Sequence, residues 1–269
     1  MLDIIRRALD EDIGSGDITS RVCVPEHRRA TGRFLAREEL VVCGLHLLPQ
    51  IYDPVEDLQF LKKDGDVAVA GEVIATVTGQ ARLLLERERV ALNFLQRLSG
   101  IATKARAFVN EVRGTNCKVL DTRKTTPGLR VLEKMAAATG GATNHRMGLF
   151  DAILIKNNHI AAAGGVSQAL KNAKQANTGL PIEIEVRTRA ELTAALDQGA
   201  THLLLDNLSP AEATEWIQVI NGRATVEISG GITLETAAPY ARTGADYISA
   251  GAITHSARAM DLSFRLELL

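Results

Sequence analysis

Cysteine is scarce, with three residues in 269 (Cys23, Cys43 and Cys117), all far apart. An odd and scattered set supports neither a disulfide framework nor closely spaced zinc ligation, and it suits a reducing compartment. Charge of one sign is also lacking, since 31 Lys and Arg face 32 Asp and Glu. Without a basic excess, neither nucleic acid nor an anionic membrane is expected as a partner, and any anion site must be a local cluster. No apolar stretch reaches membrane-spanning length. The N-terminal MLDIIRRALDEDIGSGDITS is amphipathic and broken by acids where a signal peptide carries an apolar block. A soluble, cytoplasmic protein is the expectation. His145, His159, His202 and His255 show no metal-ligand spacing, and none is assigned to a metal.

What is present is enough apolar material, 46% of residues, for one large domain or for a barrel with a smaller companion. Up to about Gln80 the chain alternates short apolar segments with Gly and Pro, as in ATGRFLAREELVVCG and DGDVAVAGEVIATVTG. These predict strands joined by turns. The second has the look of a lipoyl-type hairpin, but no lysine stands at its tip, so it is read as structural. From Glu86 to Val112 the residues Val90, Phe94, Leu95, Leu98, Ile101, Ala105, Phe108 and Val112 recur at steps of three and four. That period predicts one long helix, with Ser99 and Gly100 as a candidate kink and Gly114 as a stop.

Beyond it the pattern becomes regular. Short buried-strand runs start at Cys117, Ala152, Ile182, His202, Thr225 and Asp246. Helical stretches over 130–139, 167–177, 189–198, 210–220 and 234–243 lie between them. Such alternation predicts parallel strands with helical crossovers, and repetition without a reversal favours a barrel over a flat sheet. The expected organisation is an N-terminal domain with its connecting helix over 1–112 and an α/β barrel over 113–253. A C-terminal helix over 254–269 is expected to pack back on the N-terminal domain.

In such a barrel the C-terminal strand ends share one face, where active sites are built. Those ends here carry Asp121, Arg123 and Lys124, then Lys156, Glu185, Asp206, Ser229 with Gly230 and Gly231, and Gly251. His145 and Arg146 precede the second strand. The cations suit an anionic substrate, with arginine gripping carboxylate or phosphate in two-point fashion. Glu185 and Asp206 suit ribose hydroxyls or a hard divalent cation, and the glycine loops suit a phosphate at a helix N-terminus. Taken together the set describes a sugar-phosphate substrate plus a second, acidic one. Single cations at a strand end are commonly rim residues, and Glu183, two before Glu185, can simply pair with a barrel cation. Asp12 and Asp17 are explained by helix-end and turn chemistry.

The segments DTRKTTPGLR and GGATNHRMGLFDAILIKNNHI, with DEDIGSGDITS, ERVALNFLQRLSGIAT, IEIEV, LLLDN, ISGGI and DYISAGAITHSA, closely resemble the quinolinate phosphoribosyltransferases. The resemblance extends over nearly the whole chain. It implies an α/β fold made of an N-terminal α/β sandwich domain and an incomplete, seven-stranded α/β barrel of TIM-barrel type. It implies transfer of phosphoribosyl from phosphoribosyl pyrophosphate to quinolinate with decarboxylation, Mg²⁺ as cofactor, and a homodimer. By that pattern Thr122, Arg123, Lys124, His145, Arg146 and Lys156 line the quinolinate and phosphate pocket. Glu185 and Asp206 face ribose and Mg²⁺, while Ser229, Gly230, Gly231, Ala250, Gly251 and His255 surround the 5′-phosphate. Lys124, Lys156, Glu185 and Asp206 are the expected catalytic set. Arg89, on the long helix, matches an arginine that reaches the quinolinate of the neighbouring subunit. The alternatives are a related phosphoribosyltransferase acting on another base, such as a nicotinate-using enzyme or a molybdenum-transport-associated homologue, and a non-catalytic binder of phosphorylated metabolites.

Overall fold

The computed structural model describes residues 2–269, which form two compact units. The first runs up to Arg106 and also takes in Thr126–Gly141 and Ser256–Leu269; the second comprises Ala107–Thr125 and Ala142–His255. Compared with the expected barrel range of 113–253, the second unit begins at Ala107, ends at His255 and leaves out one internal segment. Residues 126–141, with the helix Arg130–Thr139, belong to the first unit.

The first unit opens with helices α1 (Leu2–Ile13) and α2 (Ile18–Cys23). Asp17 caps α2 by accepting the Ser20 N–H at 3.0 Å, and its hydrogen bonds to Ser20 hold its carboxyl below the usual range. Strands β1 (Arg29–Ala36), β2 (Leu40–Val41), β3 (Asp57–Phe60), β4 (Val67–Ala68) and β5 (Val73–Gln80) come next, with helix α3 (Leu48–Ile51) between β2 and β3. The alternation read in the sequence is present in β1, where every second residue from Ala30 to Ala36 turns to the core. Phe34 anchors that row against Phe264 and Tyr52, with ring centroids at 4.9 and 6.1 Å. β2 and β4 pair separately.

Helix α4 (Ala81–Glu111) is a single uninterrupted element of 31 residues. Ser99 and Gly100, expected as a kink, have other reasons to be there. The buried Ser99 hydroxyl accepts the Cys43 N–H at 3.0 Å, fixing the chain beyond β2 to the helix. Gly100 is required because a Cβ would collide with the carbonyl of Arg258. Helix α5 (Arg130–Thr139) also belongs to this unit.

The second unit contains six parallel strands: β6 (Lys118–Leu120), β7 (Ile153–Ile155), β8 (Ile182–Val186), β9 (His202–Asp206), β10 (Thr225–Ser229) and β11 (Tyr247–Ser249). All six predicted runs are strands. They lie in the order β6-β11-β10-β9-β8-β7. The seventh strand of the expected barrel is reduced to a single parallel bridge, Thr143 beside Leu120. Thr143 donates its N–H to Val119 and accepts one from Asp121, so it extends the edge at β6. Helices α6 (Asn157–Ala163), α7 (Val166–Gln175), α8 (Arg189–Asp197), α9 (Pro210–Ile220), α10 (Leu234–Ala241) and α11 (Ala252–His255) punctuate the strands. α6 lies outside the helical stretches expected from the sequence. Its N-cap is Lys156, whose N–H is taken by the His159 ring at 2.9 Å. No described helix is long and apolar enough to cross a membrane.

The C-terminus departs from the expected helix. After α11 the chain forms strand β12 (Leu262–Leu268), antiparallel to β1 from Ala36↔Leu262 to Ala30↔Leu268. The reason is visible in LSFRLEL, where Leu262, Phe264, Leu266 and Leu268 alternate with polar residues at period two. The first unit's sheet thus has the order β12-β1-β5-β3. Glu38 secures the entry to β12: it accepts Arg258 through both oxygens and the Asp261 N–H at 2.8 Å. These bonds, the Arg258 contact foremost, hold the Glu38 carboxyl at about 2. A depressed folded pKa stabilises above the unfolded pKa and loses that contribution as pH falls through the folded value. Arg258 is largely exposed, so Glu38→Gln is expected to reduce stability at pH 7 by about 1 kcal/mol. Urea unfolding of both proteins should show this gap closing between about pH 4.5 and pH 2.

Candidate active site

In the parallel strands of the second unit, alternate residues do opposite jobs. Ile184, Leu203, Leu205, Val226 and Ile228 are buried apolar anchors of the sheet. The intervening residues Glu185, Leu204, Asp206, Glu227 and Ser229 face one cavity of about 840 Å³. Groups just beyond β6, β7 and β11 reach the same cavity, so the sheet curls around it.

The cations come from the two ends of the strand order, β6 with its Thr143 edge and β7. Thr122, Arg123 and Lys124 follow β6 and line the cavity, with the Thr122 hydroxyl accepting the Lys124 N–H at 3.1 Å. The fully buried Thr254 donates its hydroxyl to the Lys124 carbonyl at 2.8 Å, pinning that loop from below. His145 and Arg146 lie beyond the Thr143 bridge. Asp121, completely buried, accepts the His145 N–H at 2.8 Å. Arg146 donates to the Ala152 carbonyl at 3.1 Å. Burial, and then the neighbouring Arg123, push its pKa down, yet a guanidinium remains charged under any working condition. Asp151 binds the N–H groups of Met147 and Gly148 at 2.6 and 2.9 Å and so shapes the loop behind Arg146. Lys156 ends β7 half-exposed, its ammonium 3.9 Å from Glu185. At that separation it is close enough to compensate the carboxylate without being fixed to it.

The carboxylates stand on the adjacent strands β8 and β9. Glu185 is buried, and that burial, followed by repulsion from Asp206, raises its pKa; Lys156 and the Asn157 N–H oppose the rise. Asp206 accepts the Ser229 hydroxyl and the Asn207 side-chain amide, each at 2.8 Å. Two carboxylates that repel one another, close to open space, form an oxygen-donor set of the kind a hard divalent cation takes. Glu185 and Asp206 therefore have the donor chemistry to hold a hard divalent cation.

Gly230 and Gly231 close the third side. Both are in the left-handed region, at φ of +103° and +60°, and a Cβ on Gly230 would strike the Asn207 side chain. The curve leads through Thr233 to the N-terminus of α10, where a phosphate is favoured by the helix dipole. Gly251 and His255 also line the cavity.

Most of the residues expected at the site thus line one cavity. Two do not. Ala250 is buried and its N–H is already given to the Leu120 carbonyl, leaving its neighbour Gly251 to face the open space. Arg89 is an exposed residue of α4 in the first unit and is not part of the cavity wall. The sequence reading missed Asn207, Glu227, Thr233 and Ser249, which do line it. Glu227 had a usable signal, since it lies two residues before Ser229 and therefore shares its face. His145 is held at the base of the cavity by Glu227 and Glu183, its Nε2 lying 3.2 and 3.3 Å from their oxygens. Burial pushes its pKa down and the two acceptors pull it up, while the Arg146 N–H bound to Nδ1 opposes a second ring proton.

With this geometry in view, comparisons with known proteins agree over both units. The family model described as the quinolinate phosphoribosyl transferase C-terminal domain matches residues 101–265, and that of the N-terminal domain matches residues 17–99. The nicotinate-nucleotide pyrophosphorylase (carboxylating) of Mycobacterium leprae is 42% identical, over 98% of this chain and 96% of the relative. Quinolinate phosphoribosyltransferase (decarboxylating) 1 of Nicotiana glauca is 39% identical, over 98% and 81%. The crystal structure of nicotinate-nucleotide pyrophosphorylase from Ehrlichia chaffeensis superimposes with a TM-score of 0.95 at 37% identity, covering 98% of each chain. Matched in sequence and in fold along nearly its full length, this chain belongs to the quinolinate phosphoribosyl transferase family.

Proposed function

We propose that this protein transfers the phosphoribosyl group of phosphoribosyl pyrophosphate to the ring nitrogen of quinolinate, releasing pyrophosphate and carbon dioxide and yielding nicotinate mononucleotide for NAD biosynthesis. One observation carries the reading: a single cavity sets four cations, Arg123, Lys124, Arg146 and Lys156, against the carboxylates Glu185 and Asp206, with a glycine curve between strand and helix. A dicarboxylate base and a sugar phosphate need those two kinds of partner together.

Arg123, Arg146 and Lys156 are suited to hold the two quinolinate carboxylates, which orients the ring nitrogen toward the ribose. Glu185 and Asp206 are suited to the ribose hydroxyls, and Gly230, Gly231 and the start of α10 to the 5′-phosphate. As the bond from ribose C1 to the pyrophosphate oxygen breaks and the bond to nitrogen forms, positive charge develops on the ribose, where Glu185 and Asp206 stand. Lys124 and Lys156 balance the negative charge of the departing pyrophosphate. Mg²⁺ held by Glu185 and Asp206, directly or through water, would supply further charge neutralisation on those oxygens. The carbon–carbon bond to the 2-carboxylate then breaks, leaving its electron pair on the ring carbon beside a quaternised nitrogen. That nitrogen stabilises the pair until a proton from water replaces CO₂, so no protein base is required.

A second copy of the chain is part of the proposal. Arg89 is exposed and lies outside the cavity wall, which suits the delivery of a cation to the site of a partner in a homodimer. A cytoplasmic setting is consistent with free thiols at Cys23, Cys43 and Cys117. Use of nicotinate in place of quinolinate would leave the second carboxylate's partners without a ligand.

Incubation with phosphoribosyl pyrophosphate and Mg²⁺ should release CO₂ in step with nucleotide when quinolinate is supplied, and give no nucleotide with nicotinate. The opposite preference would overturn the assignment of the base. Lys156→Ala should lower kcat/KM by about a hundredfold or more; unchanged turnover and affinities would remove Lys156 from the site. Mixing Arg89→Ala with Lys156→Ala under subunit exchange should regain activity, because a hybrid rebuilds one intact site. Exchange without recovery would place Arg89 outside the site.

A further inference from the structure

Beneath the substrate-facing cations lies a cluster whose members the reaction above does not use. Glu183 on β8 and Glu227 on β10 both aim a carboxylate oxygen at the Nε2 atom of His145, at 3.3 and 3.2 Å. The three side chains are mostly or fully buried. The other ring nitrogen, Nδ1, accepts the backbone N–H of Arg146 at 2.7 Å. The backbone N–H of His145 is itself given to the buried carboxylate of Asp121 at 2.8 Å.

This pattern fixes the hydrogen on the ring. An atom that accepts an N–H presents a lone pair, so Nδ1 carries no hydrogen and Nε2–H points at the two carboxylates. The ligand atoms of His145, Glu183 and Glu227 lie within 4.8 Å of one another, a spacing that would also suit a metal ion. The Arg146 bond argues against that use, because a ligating nitrogen needs the lone pair where this ring holds its hydrogen. Any further proton attracted by the cluster is better placed on Glu227 than on Nδ1. Burial and the charge of Glu183 raise the pKa of Glu227, whereas a hydrogen on Nδ1 would face the Arg146 N–H.

A ring held at three points is a template for the next residue in the chain. Arg146 starts from the N–H bound to Nδ1, and its guanidinium is steadied by the Ala152 carbonyl at 3.1 Å. We propose that Glu183 and Glu227 are positioning residues that clamp His145 as an Nε2–H donor and, through the ring, set the main chain and guanidinium of Arg146 to receive a carboxylate of the acidic substrate. The role rests on the quinolinate reading only for the name of that substrate. It predicts a loss in binding of the acidic base specifically, since neither carboxylate is assigned to the sugar phosphate.

The test compares Glu183→Ala, Glu227→Ala and the corresponding Gln variants in the full-length protein, with KM measured separately for quinolinate and for phosphoribosyl pyrophosphate. Each Ala variant should raise the quinolinate KM by about ten- to a hundredfold, the effect of losing one buried hydrogen bond to a charged group, with a smaller fall in kcat. The KM for phosphoribosyl pyrophosphate should stay within about twofold, because its assigned partners are untouched. Gln keeps an acceptor oxygen and should restore most of the quinolinate affinity. A loss of thermal stability or active fraction with both KM values unchanged would overturn the proposal and reduce the pair to a structural role. Should Glu227→Ala fail to fold, the less buried Glu183 gives the same comparison. Nitrogen NMR of labelled wild-type protein adds a readout independent of substrate. Nε2 protonated and Nδ1 unprotonated is expected; the reverse tautomer, or stoichiometric zinc retained by the purified protein, would overturn the clamp. If wild-type protein makes no nucleotide from quinolinate, the functional reading fails, while the NMR result still decides the geometry.

Discussion

The strict alternation of side chains along parallel strands is the constraint on which the rest of this molecule depends. In β8, β9 and β10 one parity is spent on apolar burial, and the other is free to carry chemistry. The ladder pairs Glu185 with Leu204 and Leu204 with Glu227, and sets Asp206 beside Ser229 one step nearer the mouth. A shift of one residue in any of these strands would bury a carboxylate against helices and turn a leucine or isoleucine into the cavity. Fold and site are therefore specified by the same pattern.

Placing buried acids and a cationic rim around one cavity has consequences for both. Glu185 is pushed up by burial and by Asp206, and relief comes from Lys156 at a distance that leaves the ammonium adaptable. A cation or a developing positive charge between the two carboxylates would be favoured for the same reason that they repel one another. Burial, and then Arg123, lower the basicity of Arg146, so an incoming dicarboxylate would relieve a repulsion as well as make hydrogen bonds. Deeper down, the His145 cluster meets the requirement that buried polar groups be paired, and it does so with residues from strands far apart in sequence.

Much of this was legible in the chain itself. The six barrel strands announce themselves because buried parallel strands read as compact apolar runs, and their final residues are chemically conspicuous. The C-terminal strand was equally marked by Leu262, Phe264, Leu266 and Leu268, but its partner β1 is more than two hundred residues away and no local feature points to it. Helix α6 was hidden because its cap is a lysine backed by His159, not one of the usual small polar caps. Membership of 126–141 in the first unit rests on tertiary contacts that no local pattern encodes. Ala250 looked like part of a phosphate loop until its N–H proved to be in the sheet. Glu227 and Glu183 obeyed the visible alternation, yet only folding reveals that both turn to the same histidine.

The proposed reaction divides the cavity, with the acidic base on the side of Arg123, Arg146 and Lys156 and the ribose on the side of Glu185 and Asp206. A crystal structure of the protein with quinolinate and an unreactive phosphoribosyl pyrophosphate analogue measures that division directly. Quinolinate carboxylates are expected against the three cations, ribose hydroxyls against Glu185 and Asp206, and the 5′-phosphate at Gly230 and Gly231. Quinolinate bound on the Glu185 side, or a phosphate occupying the Arg123 and Arg146 positions in its place, would contradict it.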